Sequence, residues 1–151
     1  MTRPGVDSLT VTSVAFVAAN ALHTADHIRQ GIHGLSWELL AAGSMLSVLA
    51  VATLLVTLRH AHRAPLIAAA VGLFAAGGVA LRHLAPYWSV LSDPYPAVHV
   101  DLLSWTVMLA ELAAALLLVV AGVSALGWRA RPVRWTKSVR TGAAAAEDGR
   151  S

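Results

Sequence analysis

Residues 98–126 read VHVDLLSWTVMLAELAAALLLVVAGVSAL, and past Glu111 this stretch carries no charge at all. A helix needs about 20 mainly apolar residues to cross the hydrocarbon of a bilayer. Three more stretches meet that length: about 8–30, about 37–58 (WELLAAGSMLSVLAVATLLVTL) and about 65–84. The composition agrees, with 57% hydrophobic residues and 13% charged ones in a chain of 151, and a mean hydropathy of +0.66. A soluble domain does not have this balance. The expectation is an all-α integral membrane protein, an antiparallel up-and-down bundle of four transmembrane helices forming one domain over residues 8–128.

Punctuation supports these limits. Gly31 and Gly34 can terminate the first span, and Pro65 suits the first turn of the third. Gly72, Ala76, Gly77 and Gly78 have small-residue spacings that allow close backbone approach, which predicts a central place for the third helix. Residues 1–7 form a short N-terminus. Residues 129–151 (RARPVRWTKSVRTGAAAAEDGRS) form a basic tail whose Ala-rich end is expected to be disordered.

Basic residues near helix ends set the orientation, because cytoplasmic loops carry the excess of Lys and Arg. Arg3, Arg59, Arg63, Arg129, Arg131, Arg134, Lys137 and Arg140 fall on one side, and Arg29 and Arg82 on the other. Both termini are therefore expected in the cytoplasm, in a multi-pass protein of a bacterial cytoplasmic membrane. Trp37, Tyr87, Trp88 and Tyr95 serve as outer interfacial anchors and Trp128 and Trp135 as inner ones. The basic tail can also touch anionic lipid. Nothing supports nucleic-acid binding. A competing topology treats Ala19-Asn20-Ala21 as the end of a cleaved signal peptide. The unbroken helical register of polar residues across that point argues against it.

The charge count places five of the seven histidines, His23, His27, His33, His83 and His99, at the outer level, together with Asp26, Glu38, Asp93 and Asp101. Such groups are expensive near a membrane and mark a functional site by default. On the first helix Ser13, Phe16, Asn20, His23 and His27 recur at steps of three and four and share a face. His23 and His27, four apart, can place two imidazoles on one ion, the geometry that HExxH helices use for zinc; here Thr24 stands where that motif has its Glu. The fourth helix repeats the pattern with Asp101, Ser104, Met108 and Glu111. At 1.5 Å per residue, Glu111 lies roughly 15 Å deeper than Asp101, at the depth of Asn20, which makes an Asn20–Glu111 pair the natural way to hold a carboxylate at mid-membrane.

The third helix delivers Arg82 and His83 to the same level. A candidate metal site follows from His23, His27, His83 and Asp101, with Glu38, Asp26 and His99 as further ligands or supports; nitrogen and oxygen donors of this kind suit zinc, copper or iron. Asp26 can fix an imidazole tautomer. Arg82 is expected to snorkel or to pair with Asp26, Asp101 or Glu38. His33, His60 and His62 belong to loops and turns. The absence of cysteine removes disulfides, iron–sulfur clusters and thiolate ligation.

Four functional readings fit these residues. A bound metal would activate water or oxygen, with Asp101 or Glu111 as proton acceptor and residues 85–97 as a lid. Haem b between His23 or His27 and His83 or His99, with Arg82 on a propionate, is the second. The plan is similar to that of four-helix membrane cytochromes b in architecture only, and the likeness carries no residues over. Proton or ion transport is the third, weakened by the lack of ionisable groups beyond Glu111. The fourth is a non-enzymatic accessory subunit whose outer polar layer and Pro-aromatic connection dock another membrane or periplasmic protein, with a homo-oligomer also open. Whether His23 and His27 point into the bundle beside His83 and the fourth-helix acids separates a site from a docking surface.

Overall fold

A computed structural model of the chain describes residues 4–31, 36–97 and 100–129, with side chains described from 8 to 127. It contains four helices, α1 (Pro4–Gln30), α2 (Trp37–Leu58), α3 (Ala64–His83) and α4 (Leu102–Arg129), and the described residues include no strand. All four are long and apolar enough to cross a membrane. Their outward faces are apolar, with Val48, Leu66, Leu73, Leu117 and Val120 all exposed, as a helix requires where its surroundings are hydrocarbon rather than water.

Each boundary has a local cause. Gly31 closes α1 at φ 100°, a conformation that costs glycine little, and its N–H reaches the His27 carbonyl at 3.2 Å. The Ser36 hydroxyl caps α2 by accepting from the Leu39 N–H at 3.3 Å. Pro65 sits in the first turn of α3, where its missing N–H costs nothing. At α4 the sequence expectation of a start near Val98 needs correction. Asp101 is the cap, its carboxylate accepting the Ser104 N–H at 2.9 Å, so the helix begins at Leu102.

The helices pack as a ring in which α4 lies on α1 and α3, and α2 closes the other side against α1 and α3. No helix is central, contrary to the expectation for α3. The α3–α4 seam is the tightest, because glycine lets two backbones meet there. A Cβ on Gly72 would lie 2.7 Å from the Ala115 carbonyl oxygen, and one on Gly122 only 2.6 Å from that of Pro65. Gly77 and Gly78 face open space instead. Phe16, Leu118, Ala68, Ala75 and Ala115 fill the core beside this seam.

The two ends of the bundle differ in chemistry. Around the core, Ser13, Thr53 and Thr57 are buried, and each hydroxyl donates to the carbonyl four residues before it. Those hydroxyls bond their own helices, and Ser13 also reaches the Thr57 hydroxyl across the α1–α2 contact at 3.4 Å. Asn20, His23, Asp26, His83, Ser104 and Glu111, also buried, gather toward the other end.

Candidate metal centre

Helical register on α1 turns Phe16, Asn20 and His23 inward, and all three are buried. His27, one turn on, lines the cavity that His23 also borders. From α3, His83 enters with its side chain fully enclosed. The three rings pack tilted or stacked on one another, with centroids 4.7 Å apart for His23 and His27, 5.0 Å for His23 and His83, and 5.4 Å for His27 and His83. One ring nitrogen from each lies within 4.8 Å of the other two. The group could hold a metal ion.

What the other nitrogens do matters as much. His23 Nδ1 meets the Glu111 carboxylate. Glu111 is itself held by Asn20, whose amide donates to Oε1 at 2.8 Å, while the Asn20 carbonyl accepts from the Ser47 hydroxyl at 2.9 Å. His83 Nδ1 lies 3.1 Å from the Asp93 carbonyl oxygen and donates to it. With Nδ1 engaged in this way, a neutral ring presents the lone pair of Nε2, which in His23 faces the Tyr95 hydroxyl. The Nε2 atoms of His27 and His83 are buried and have no hydrogen-bond partner among the described residues. Two orphaned imidazole nitrogens in one apolar enclosure are costly unless something binds them.

The segment after α3 builds the rest of the wall. Asp93 N–H donates to the Arg82 carbonyl at 2.9 Å and Tyr95 N–H to that of His83 at 3.0 Å, so the chain folds back over the end of α3. This lays the Tyr95 ring on His83, centroids 4.3 Å apart, and its hydroxyl 3.4 Å from His23 Nε2. Burial pushes the Tyr95 phenol up to about 12, so it stays neutral near pH 7. Tyr95 is not the interfacial anchor that its place in the sequence predicts, being buried to 2% exposure. Its only sequence signal is the rigid flank of Pro94 and Pro96. Trp37, Tyr87 and Trp88 do stand exposed.

The acids divide differently from expectation. Asp101 lies apart from the imidazoles, capping α4 and pairing with Arg29 at 2.9 Å. The Ser104 backbone N–H and hydroxyl, ahead of Arg29, hold its carboxyl below the usual range. Asp26 holds none of the described imidazoles. It accepts from Arg29 at 2.8 Å and from Gln30 at 2.5 Å. Arg82 pairs with none of the three acids expected for it; its nearest anion is Asp93, at 3.6 Å. Sequence depth alone could not separate these partners, because Arg29 sits one helical turn from Asp26 and claims both acids first. Glu38 is half-exposed at the start of α2 and its carboxylate has no partner among the described residues. His33 and His99 lie outside the described residues.

Beside the imidazoles a cavity of about 270 Å³ opens between α1, α2 and α3. Its far walls are apolar. No family model, no curated protein and no solved structure matches the chain.

Proposed function

We infer that the protein is a multi-pass membrane protein whose four helices run antiparallel, with both termini in the cytoplasm, and that it binds a transition metal ion at the outer end of the bundle. His23, His27 and His83 are the ligands. Glu111 and the Asp93 carbonyl orient His23 and His83 from behind, the arrangement that fixes ring tautomer and raises ligand basicity in metal proteins. Three imidazoles would leave a bound ion a fourth position for water or a substrate oxygen, as catalytic zinc and iron sites require. The observation that carries the reading is the convergence of three imidazole nitrogens within 4.8 Å, two of the rings bearing orphaned Nε2 atoms.

This convergence favours a site over a docking surface, since His23 and His27 turn toward His83 and Glu111 rather than outward. It disfavours haem b on His83: a macrocycle must lie between its axial rings, and His83 stands only 5.0 and 5.4 Å, centroid to centroid, from His23 and His27; His99, the other axial partner expected, lies outside the described residues. Transport fits poorly as well, because the buried polar groups described beyond Glu111 are hydroxyls, which carry no ionisable proton, bonded to their own helices and, for Ser13, to Thr57.

Elemental analysis with an absorption spectrum of detergent-purified protein tests the reading. A transition metal without a Soret band supports it, and a Soret band or a metal-free protein that takes up no added ion contradicts it. The topology has a separate test made clean by the lack of cysteine. An impermeant maleimide should label Val90→Cys in intact cells and label His62→Cys only after lysis; the reverse pattern overturns the orientation.

A further inference from the structure

Arg82 is the cation beside the imidazoles among the described residues, its side chain 17% exposed, and it is poorly matched. Its Nε and one terminal nitrogen are buried without a hydrogen-bond partner among the described residues. Its closest carboxylate, Asp93, stands 3.6 Å away, beyond hydrogen-bonding distance. Guanidinium nitrogens taken out of water need an oxygen acceptor to offset their desolvation, and the long ion pair to Asp93 leaves two of them without one. The same residue lines the cavity next to the three histidines.

Away from this polar end the cavity is walled by Leu39, Met45, Leu46, Phe74 and Leu81. Met45, Phe74 and Leu81 are also 49%, 52% and 56% exposed on the outside of the bundle, so the wall between α2 and α3 is both cavity lining and outer face. Gly78 adds no side chain there, and a Cβ on it would meet nothing. At about 270 Å³ the space lies near the lower end of small-molecule pockets, which start at about 300 Å³. That suits part of one slender chain.

We propose that this cavity admits, sideways from the bilayer, a single-chain amphiphile with a carboxylate head, the chain lying along Met45, Leu46 and Phe74 and the carboxylate held by Arg82 beside the histidine cluster. The planar guanidinium offers paired donors that match a carboxylate. The proposal deepens the metal-site reading by naming what that site receives, and its anchor is Arg82 rather than the ion, so the two can fail separately.

The test uses mid-chain brominated stearate and brominated stearyl alcohol in zwitterionic nanodiscs, at a pH where the carboxylate is ionised. The readout is the quenching of Trp88, which borders the cavity, taken as the difference from a Trp88→Phe variant. Saturable quenching by stearate at least about tenfold tighter than by the alcohol is expected, given the net strength of a charge-assisted hydrogen bond. Arg82→Gln should abolish that preference and leave the alcohol unchanged, and Gly78→Leu should remove both. Equal binding of acid and alcohol, a preference that survives Arg82→Gln, or no saturable quenching overturns the proposal. Metal content is assayed on the same samples: absence of metal with the carboxylate preference intact removes the metal reading alone.

Discussion

The Glu111 carboxylate on α4 meets Nδ1 of His23 on α1, and both side chains are almost fully enclosed. This contact couples helix pairing to the candidate ligand set. Glu111→Gln keeps a polar group for Asn20 but puts an amide in place of the carboxyl behind the imidazole. Metal affinity should fall by about 10- to 100-fold, the usual effect of removing such a support. Chelator competition measures it; an unchanged affinity would show that Glu111 only fastens the helices.

Gly122 should be intolerant of any side chain. A Cβ there would lie 2.6 Å from the Pro65 carbonyl oxygen and 2.7 Å from the Ala69 nitrogen, both backbone atoms of α3 that cannot swing aside. Gly122→Ala is expected to lose about 1–3 kcal/mol, the usual cost of overpacking. Gly77→Ala, facing open space, should be neutral or slightly stabilising. Reversible unfolding in mixed detergent micelles compares the two, and equal effects would argue against the close α3–α4 seam.

Asp101 should matter for folding in acid and not for metal. Its carboxyl titrates below its ordinary value because Ser104 and Arg29 bind the charged form. The stabilisation is therefore complete above the ordinary carboxylate pKa and disappears as pH falls through the lowered one. Asp101→Asn, which can still cap α4, should flatten that acid limb and leave metal content unchanged. A drop in bound metal would restore Asp101 to the ligand set.

Tyr95 predicts the opposite limb. Its phenol is pushed up to about 12 by burial, against about 10 for an exposed tyrosine. The neutral form is favoured in the fold, so this contribution is present below pH about 10 and is lost as pH rises toward about 12. Unfolding curves across that window should be shallower for Tyr95→Phe than for the unaltered chain. Identical slopes would place the Tyr95 hydroxyl in water.

Much of this architecture is legible in residues alone, and the reason is physical. Apolar runs of bilayer length leave one option for the backbone, and the three- and four-residue spacing of Asn20, His23 and His27 fixes which face of α1 turns inward. Depth counting likewise brings Asn20 to Glu111. Depth does not give azimuth, so Asp101 and His83 look equivalent as companions of His23 although only His83 reaches it. Asp101 is diverted by Arg29 and by its place as the α4 cap. Tyr95 is illegible for another reason: it arrives on a returning loop held by backbone bonds to Arg82 and His83, and no periodicity marks such a return.

The most direct test of the three-histidine centre is the metal-to-protein ratio of the purified chain and of two variants, His23→Ala/His27→Ala and His83→Ala, each checked for helical content. The account predicts about one transition metal ion per unaltered chain, a ratio near zero for both variants, and helical content preserved in each. Full metal content in either folded variant would contradict it.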